Sequence, residues 1–468
     1  MRPADYLHDS KSLAALAVPL ALTQLAQVAL TTTDTVMMSR ISAEALAAGG
    51  LALVIFNQLR TMGVGLLTAV GNQVAAAAAR AEVVPKEAAD GQGELRELLR
   101  AALALATFAG VVGAILVGLS GEAIGWLGQS QEVVDRSRPV LWALAPGLLP
   151  CLWFQAIRQV TVGMRRPQAL LKITLASVAG NASLNWVLIH GTFGLPRLGL
   201  VGIGLATSLM YLFSGVALYL SARRDPELAP LLSLRIWHAQ PSTLRRLTRL
   251  GLPIAATYGS ESGFFSVIAL IIGTFGAAAL AAHAAVNQLV YIVFQLAVGL
   301  SHAASISVSR TVALGRPQAA VRLARTALAC GAIAMTLVAV VYLLEPHLVL
   351  RLFFDPNRSS DDAASSIASK LLMIAAALQF FDCAQNIGIG LLRGLDDTAG
   401  GFRITLVGYW LIGLPLAWLM GKSTGHDPVG VWSGLLIGLA ATATLLLRRF
   451  ARRSAGSEGP AVSLSGAN

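Results

Sequence analysis

Residues 13–36 read LAALAVPLALTQLAQVALTTTDTV, an apolar run interrupted by one proline, Pro19, and ending on a carboxylate, Asp34. The run is long enough to span a bilayer, which takes about 20 mostly apolar residues. The charged start through Lys11 leads straight into it without a small-residue cleavage site, so the segment is expected to stay in place as a first membrane helix. Its polar residues are not scattered. Gln24, Gln27, Thr31 and Asp34 recur at i, i+3, i+7 and i+10, on one face of a helix.

Further runs of this kind follow. Apolar stretches between charged or Gly/Pro-containing breaks predict helices near 13–38, 45–78, 98–119, 137–162, 170–190 and 199–222. Six more are predicted near 250–274, 279–309, 324–344, 366–392, 404–420 and 430–447. The 468 residues are 55% hydrophobic and only 13% charged, with a mean hydropathy of +0.67. A soluble chain usually carries roughly a quarter charged residues. The expected fold class is therefore an all-α integral membrane protein of about twelve transmembrane helices.

The second half repeats the first. A shift of 234 residues lays Leu13, Leu16, Pro19 and Ala21 on Leu247, Leu250, Pro253 and Ala255, and Gly65-Leu66 on Gly299-Leu300. After a three-residue slip, Gly163 falls on Gly394, Ile173-Thr174-Leu175 on Ile404-Thr405-Leu406, and Gly199 on Gly430. An even number of helices per half gives both halves the same orientation, related by an axis along the membrane normal. The expected domains are a six-helix lobe over 1–235, a second over 236–453 and a disordered cytoplasmic tail over 454–468, with the transport cavity between the lobes.

The net charge of +11 is explained by topology. With both termini cytoplasmic, 25 Lys and Arg fall on the inner side of the predicted spans and 8 on the outer. This placement leaves no role for nucleic acid; the partner implied is the bilayer. Cys151, Cys330 and Cys383 stand singly in apolar runs and are expected to pack, without a disulfide framework or a zinc site. No nucleotide-binding GxxxxGK[ST], HExxH or GxSxG motif is present, so neither ATP-driven pumping nor enzymatic chemistry is expected, and no cofactor is implied. Gly388-Ile389-Gly390 superficially matches a dinucleotide fingerprint but lies inside an apolar helix, where close helix packing explains it better.

Of the 24 acidic residues, Asp34, Glu261 and Asp382 alone fall well inside predicted spans. An intramembrane charge costs about 2.5–3.5 kcal/mol on insertion scales, so such residues face a cavity and serve transport, or are held in structural ion pairs. At 1.5 Å per residue Glu261 lies about 16 Å into its helix and Asp382 about 18 Å from Lys370, both near the midplane. They occupy the same predicted half and could share one cation site; Asp34 belongs to the other half. Polar neighbours share their faces: Thr257 with Glu261, Gln379 and Asn386 with Asp382, and Gln288, Tyr291, Gln295 and His302 on the helix near 279–309. Asn181 and Asn185 form an i, i+4 pair that lines a cavity or glues helices. His283 and His302 are proton shuttles or structural histidines, and Arg60 neutralises a carboxylate, snorkels or pairs structurally.

Several separated patches resemble the multidrug and toxic compound extrusion family, in its bacterial NorM-like branch. They are Pro19-Leu20-Ala21 with Thr33-Asp34-Thr35-Val36-Met37; Asn181-Ala182-Ser183-Leu184-Asn185-Trp186; Gly199 through Thr207; Gly251-Leu252-Pro253 with Glu261; and Phe381-Asp382 leading to Leu392-Arg393-Gly394. The resemblance implies a functional monomer in the bacterial inner membrane that exports bulky, often cationic drugs and dyes while sodium ions or protons enter. It also places Asp34, Glu261 and Asp382 at the family's functional carboxylates. Phe294 stands where some relatives have a cation-facing tyrosine; Tyr291 lies one turn earlier. A lipid-linked saccharide flippase of related architecture and a membrane-embedded transferase are the alternatives.

Overall fold

The computed structural model describes residues 3–83, 88–127, 130–354, 362–423 and 427–456. All twelve predicted helices are present. The first six are α1 (Pro3–Ser39), α2 (Ala43–Val83), α3 (Ala88–Ala123), the pair α4 (Gln131–Leu144) and α5 (Leu148–Gly163), α6 (Gln168–His190) and α7 (Gly199–Arg224). The second six are α8 (Pro241–Gly273), α9 (Ala277–Ala313), α10 (Pro317–Leu344), then after the short α11 (Pro346–Leu350), α12 (Asp362–Gly394), the run α13 (Thr398–Leu406) to α14 (Leu414–Ser423), and α15 (Pro428–Gly456).

Two of these differ locally from plain helices. The predicted span 137–162 is α4 and α5 joined by a tight turn over Ala145–Gly147, where Pro146 removes a backbone donor. The predicted span 404–420 carries a π-helical segment, Val407–Gly413, between α13 and α14. Because α15 runs to Gly456, Ser454 and Ala455 are helical, and the rest of the predicted tail, 457–468, lies outside the described residues.

Among the described residues, eleven helical segments are long and apolar enough to cross a membrane. The 23-residue α6 is not one of them, because Lys172, Asn181 and Asn185 dilute its apolar character. Its burial compensates. Asn181 and Asn185 are fully buried, so their amides meet protein rather than lipid. Outward faces are the reverse: Phe108, Leu270, Leu337 and Leu411 are each at least 66% exposed, as lipid-facing side chains are.

The described residues cluster into two compact units, Ala15–Ser266, and Met1–Ala14 with Val267–Asn468. In the first, α8 lies against α2 through small residues. A Cβ on Gly65 would stand 2.9 Å from the Ala255 backbone, a Cβ on Gly251 would strike Leu66, and Gln58 Nε2 donates to the Gly259 carbonyl at 3.3 Å. The helix prolines repeat in detail: Thr23 Oγ1 donates to Pro19 at 2.7 Å and Thr257 Oγ1 to Pro253 at 2.8 Å, four residues on in each case.

The second unit is built around α12, buried without a break from Gln385 to Gly394 against α9, α10 and α15. Here the glycine motif finds its explanation. A Cβ on Gly390 would meet the Ser301 carbonyl at 2.5 Å, and one on Gly388 would meet Leu446 at 3.0 Å. Ser301 Oγ donates to the Asn386 carbonyl at 2.6 Å across the same contact. Asp9 and Arg322 pair at 2.6 Å at one end of this unit. All three cysteines are free, with Cys151 and Cys383 buried.

Candidate functional site

Two helices bring neutral donors to a carboxylate on a third. Asp34, on α1, is wholly buried. On α6, Asn181 and Asn185 stand one turn apart, and both Nδ2 groups donate to Asp34 Oδ1, at 2.6 and 2.8 Å. From α7, Thr207 Oγ1 donates to Asp34 Oδ2 at 2.9 Å. Among the described residues Asp34 forms no ion pair. The arrangement holds the carboxylate with the dipoles of three neutral groups instead of a countercharge. The Oδ1 atoms of Asn181 and Asn185 are buried and accept no hydrogen bond, so acceptor oxygens lie in the same shell as the carboxylate.

The i, i+4 pair on α6 thus joins α6 to α1 through the Asp34 carboxylate. Thr207 is absent from the sequence-derived set, although it ends the Gly199–Thr207 patch; a hydroxyl on an apolar helix gives too weak a signal alone. The remaining stripe on α1 divides. Thr31 Oγ1 bonds its own helix, at the Val28 carbonyl, 2.9 Å, and Gln27 is half-buried. Gln24 Oε1 accepts from Arg158 at 3.3 Å. Arg158, on α5, also escapes the loop-based charge count: 3% exposed, it donates to Gln155 at 3.1 Å and has a buried Nε without an acceptor.

Glu261 belongs to the Ala15–Ser266 unit and Asp382 to the other. Glu261 is half-buried on α8, two residues beyond the glycine contact at Gly259. Asp382 is 5% exposed on α12, where Asn386 Nδ2 donates to its Oδ1 at 3.2 Å and to its carbonyl at 2.9 Å. Gln379 Nε2 reaches the Tyr342 hydroxyl at 3.4 Å. On α9, Gln295 is buried, Gln288 half-buried and Tyr291 exposed. The Tyr291 ring stacks on Phe294, centroids 6.2 Å apart, so the two rings form one aromatic surface.

Trp432 Nε1 donates to His283 Nδ1 at 3.2 Å, with the rings edge to face, which gives that histidine a structural partner. Arg60 Nε donates to Asn57 at 3.0 Å. Outside the spans, Arg166 pairs with Asp225 at 2.8 Å and with Glu227. Burial pushes the Asp225 carboxyl up, but the Arg166 hydrogen bond and charge outweigh it and hold the group below the ordinary range. Asp397 behaves alike: burial raises it, while Arg449 at 2.6 Å, with Arg453, brings it down further.

Apolar helix bundles with outward-facing hydrophobic surface and a dipole-solvated buried carboxylate define a multi-pass membrane transporter. The family model MatE matches residues 19–187 and again 253–419. The two matches begin at Pro19 and Pro253, separated by the 234 residues of the internal repeat. The chain belongs to the MatE family and is a secondary transporter, not an enzyme. A Pseudomonas aeruginosa protein, probable multidrug resistance protein NorM, is 37% identical over 450 residues, covering 96% of this chain and 90% of that one. A Bradyrhizobium diazoefficiens protein of the same name is 36% identical, over 94% and 93%. In fold, the chain matches an outward-facing multidrug resistance MATE transporter of the MOP superfamily, with a TM-score of 0.85 at 17% identity over 97% of each chain. These relationships do not favour the flippase alternative.

Proposed function

We propose that the protein exports amphipathic, often cationic compounds by alternating access, driven by sodium ions or protons moving the other way. The observation that carries this reading is Asp34, fully buried, unpaired by any cation among the described residues and held by Asn181, Asn185 and Thr207. A purely structural carboxylate in an apolar bundle would be expected to carry a permanent countercharge, since an uncompensated buried charge is costly. Asp34 instead offers a place where a coupling ion binds and leaves. The names of the bacterial relatives, probable multidrug resistance proteins, support the substrate class.

In this reading the coupling ion is carried by Asp34 and Glu261, on the Ala15–Ser266 unit, and by Asp382, on the other. Gln24, Gln27, Thr31, Asn181, Asn185, Gln288, Tyr291, Gln295, Gln379 and Asn386 line the path of substrate or ion. Ion and drug must favour different conformations, because a ligand with equal affinity for both drives nothing. The protein works as a monomer in the bacterial inner membrane with both termini in the cytoplasm, as the charge bias requires. The test is purified protein in liposomes, with a sodium gradient or a pH gradient imposed separately and efflux of a fluorescent cation followed. Efflux with at least one gradient is expected; efflux with neither overturns the antiporter reading.

A further inference from the structure

The membrane-interface end of α15 carries four arginines in two successive i, i+4 pairs, Arg448 with Arg452 and Arg449 with Arg453. Orientation of the chain asks for positive charge at this end. It does not ask that all four line one concavity. They do, around a cavity of about 350 Å³ whose remaining walls are the apolar side chains of Ile404, on α13, and Leu445, one turn deeper on α15.

Among the described residues one carboxylate serves this cluster, and it is committed. Asp397 accepts from the Gly400 backbone at 3.2 Å, capping α13, while Arg449 Nε and a second Arg449 nitrogen reach it at 2.6 and 3.1 Å. Arg453 approaches the same oxygen at 3.4 Å. Gly400 makes room for this latch, since a Cβ there would strike the Arg449 guanidinium. Arg448 and Arg452 are exposed and have no carboxylate partner among the described residues.

We infer that this cavity is a binding site for the headgroup of an anionic phospholipid. Guanidinium forks match phosphate oxygens in charge and geometry, and two of the four are uncommitted. Leu445 lies one turn before Arg449, on the side of the apolar body of α15, where the acyl chains of a lipid would lie and a free phosphate gains nothing. Basic pockets between helices at the bilayer surface are sites where phosphate headgroups bind.

The test is a titration of the purified full-length protein in detergent with phosphatidylglycerol, phosphatidylcholine or inorganic phosphate, read by native mass spectrometry. Phosphatidylglycerol should bind in preference to phosphatidylcholine, and equimolar inorganic phosphate should not displace it. At about fivefold per interfacial arginine, Arg448→Gln with Arg452→Gln should weaken lipid binding roughly thirtyfold. Arg223→Gln with Arg224→Gln removes the same charge from another exposed segment and should leave binding unchanged. Melting of each variant without lipid separates binding loss from misfolding, and Arg448→Lys with Arg452→Lys should retain part of the affinity. Equal binding of both lipids, displacement by phosphate alone, an unaffected Arg448→Gln/Arg452→Gln variant or an equal loss in the control pair would each overturn the site.

Discussion

Replacing Asp34 by Asn separates coupling from architecture. An intramembrane charge costs at most about 2.5–3.5 kcal/mol, the figure for mid-bilayer, and Asp34 lies five residues from the end of α1. Three charge-assisted hydrogen bonds, from Asn181, Asn185 and Thr207, return about 1.5–3 kcal/mol each. In Asp34→Asn the side-chain oxygen still accepts from the two amides. The new NH2 faces Thr207, whose hydroxyl can turn and accept instead of donating. The number of hydrogen bonds is preserved and the buried charge is gone, so folding stability should change by no more than about 1–2 kcal/mol. Membrane insertion should be undiminished. What the amide cannot do is bind a proton or neutralise a cation, so gradient-driven efflux should fall to the level of protein-free liposomes. Asp34→Ala is the contrast: it strands three buried donors at about 1–3 kcal/mol each and should fold poorly. The assay is efflux in liposomes at matched protein content, with the melting temperature measured alongside. Wild-type efflux in Asp34→Asn, or loss of efflux only in step with loss of folded protein, would refute the reasoning and make Asp34 structural.

Other consequences follow the same physics. Glu261→Gln and Asp382→Asn should each abolish gradient-driven efflux, with the double variant no worse than either; additive, partial losses would show independent roles. Asp225 and Asp397 are held below the ordinary aspartate range of about 4 in the folded state, so each contributes stability that is present above that range and lost as pH falls below it. Asp397→Asn should therefore lower the melting temperature at pH 7, and the difference from wild type should shrink toward pH 3. Gly390→Ala should cost about 1–3 kcal/mol, because its methyl meets the Ser301 backbone, whereas Gly50→Ala, with open space around it, should be neutral or stabilising; comparison of melting temperatures decides.

Most of this architecture is legible in the sequence because lipid leaves few choices. Every span must be a satisfied helix, and each intramembrane carboxylate stands out against its apolar background. For that reason Asp34 and the Asn181–Asn185 pair can be picked out without coordinates. Their meeting cannot, since it depends on how α1, α6 and α7 pack. Thr207 is hidden because hydroxyls are cheap in membrane helices, where they bond their own backbone, as Thr31 does. Arg158 is hidden for a different reason. It lies inside the predicted span 137–162, near its end and away from the acidic residues on which the search for buried charge rests, so its burial shows only in the packed structure. The turn at Ala145–Gly147 is foreshadowed by Pro146, but the π segment at Val407–Gly413 has no such marker. That segment fits where Gly413 meets Gly438 and Tyr409 meets Gln385, contacts set by α12 and α15 and not by local propensity.

Coupling itself is tested most directly by the affinity of purified protein for a fluorescent cationic substrate, measured across sodium concentrations at fixed pH and across pH at fixed sodium. Linkage requires that a coupling ion which favours the other state weaken the drug, and that the drug expel the ion by the same factor. The drug's Kd should rise as sodium or proton concentration rises, and should become flat in Asp34→Asn. A Kd independent of both ions in the wild-type protein would contradict the account.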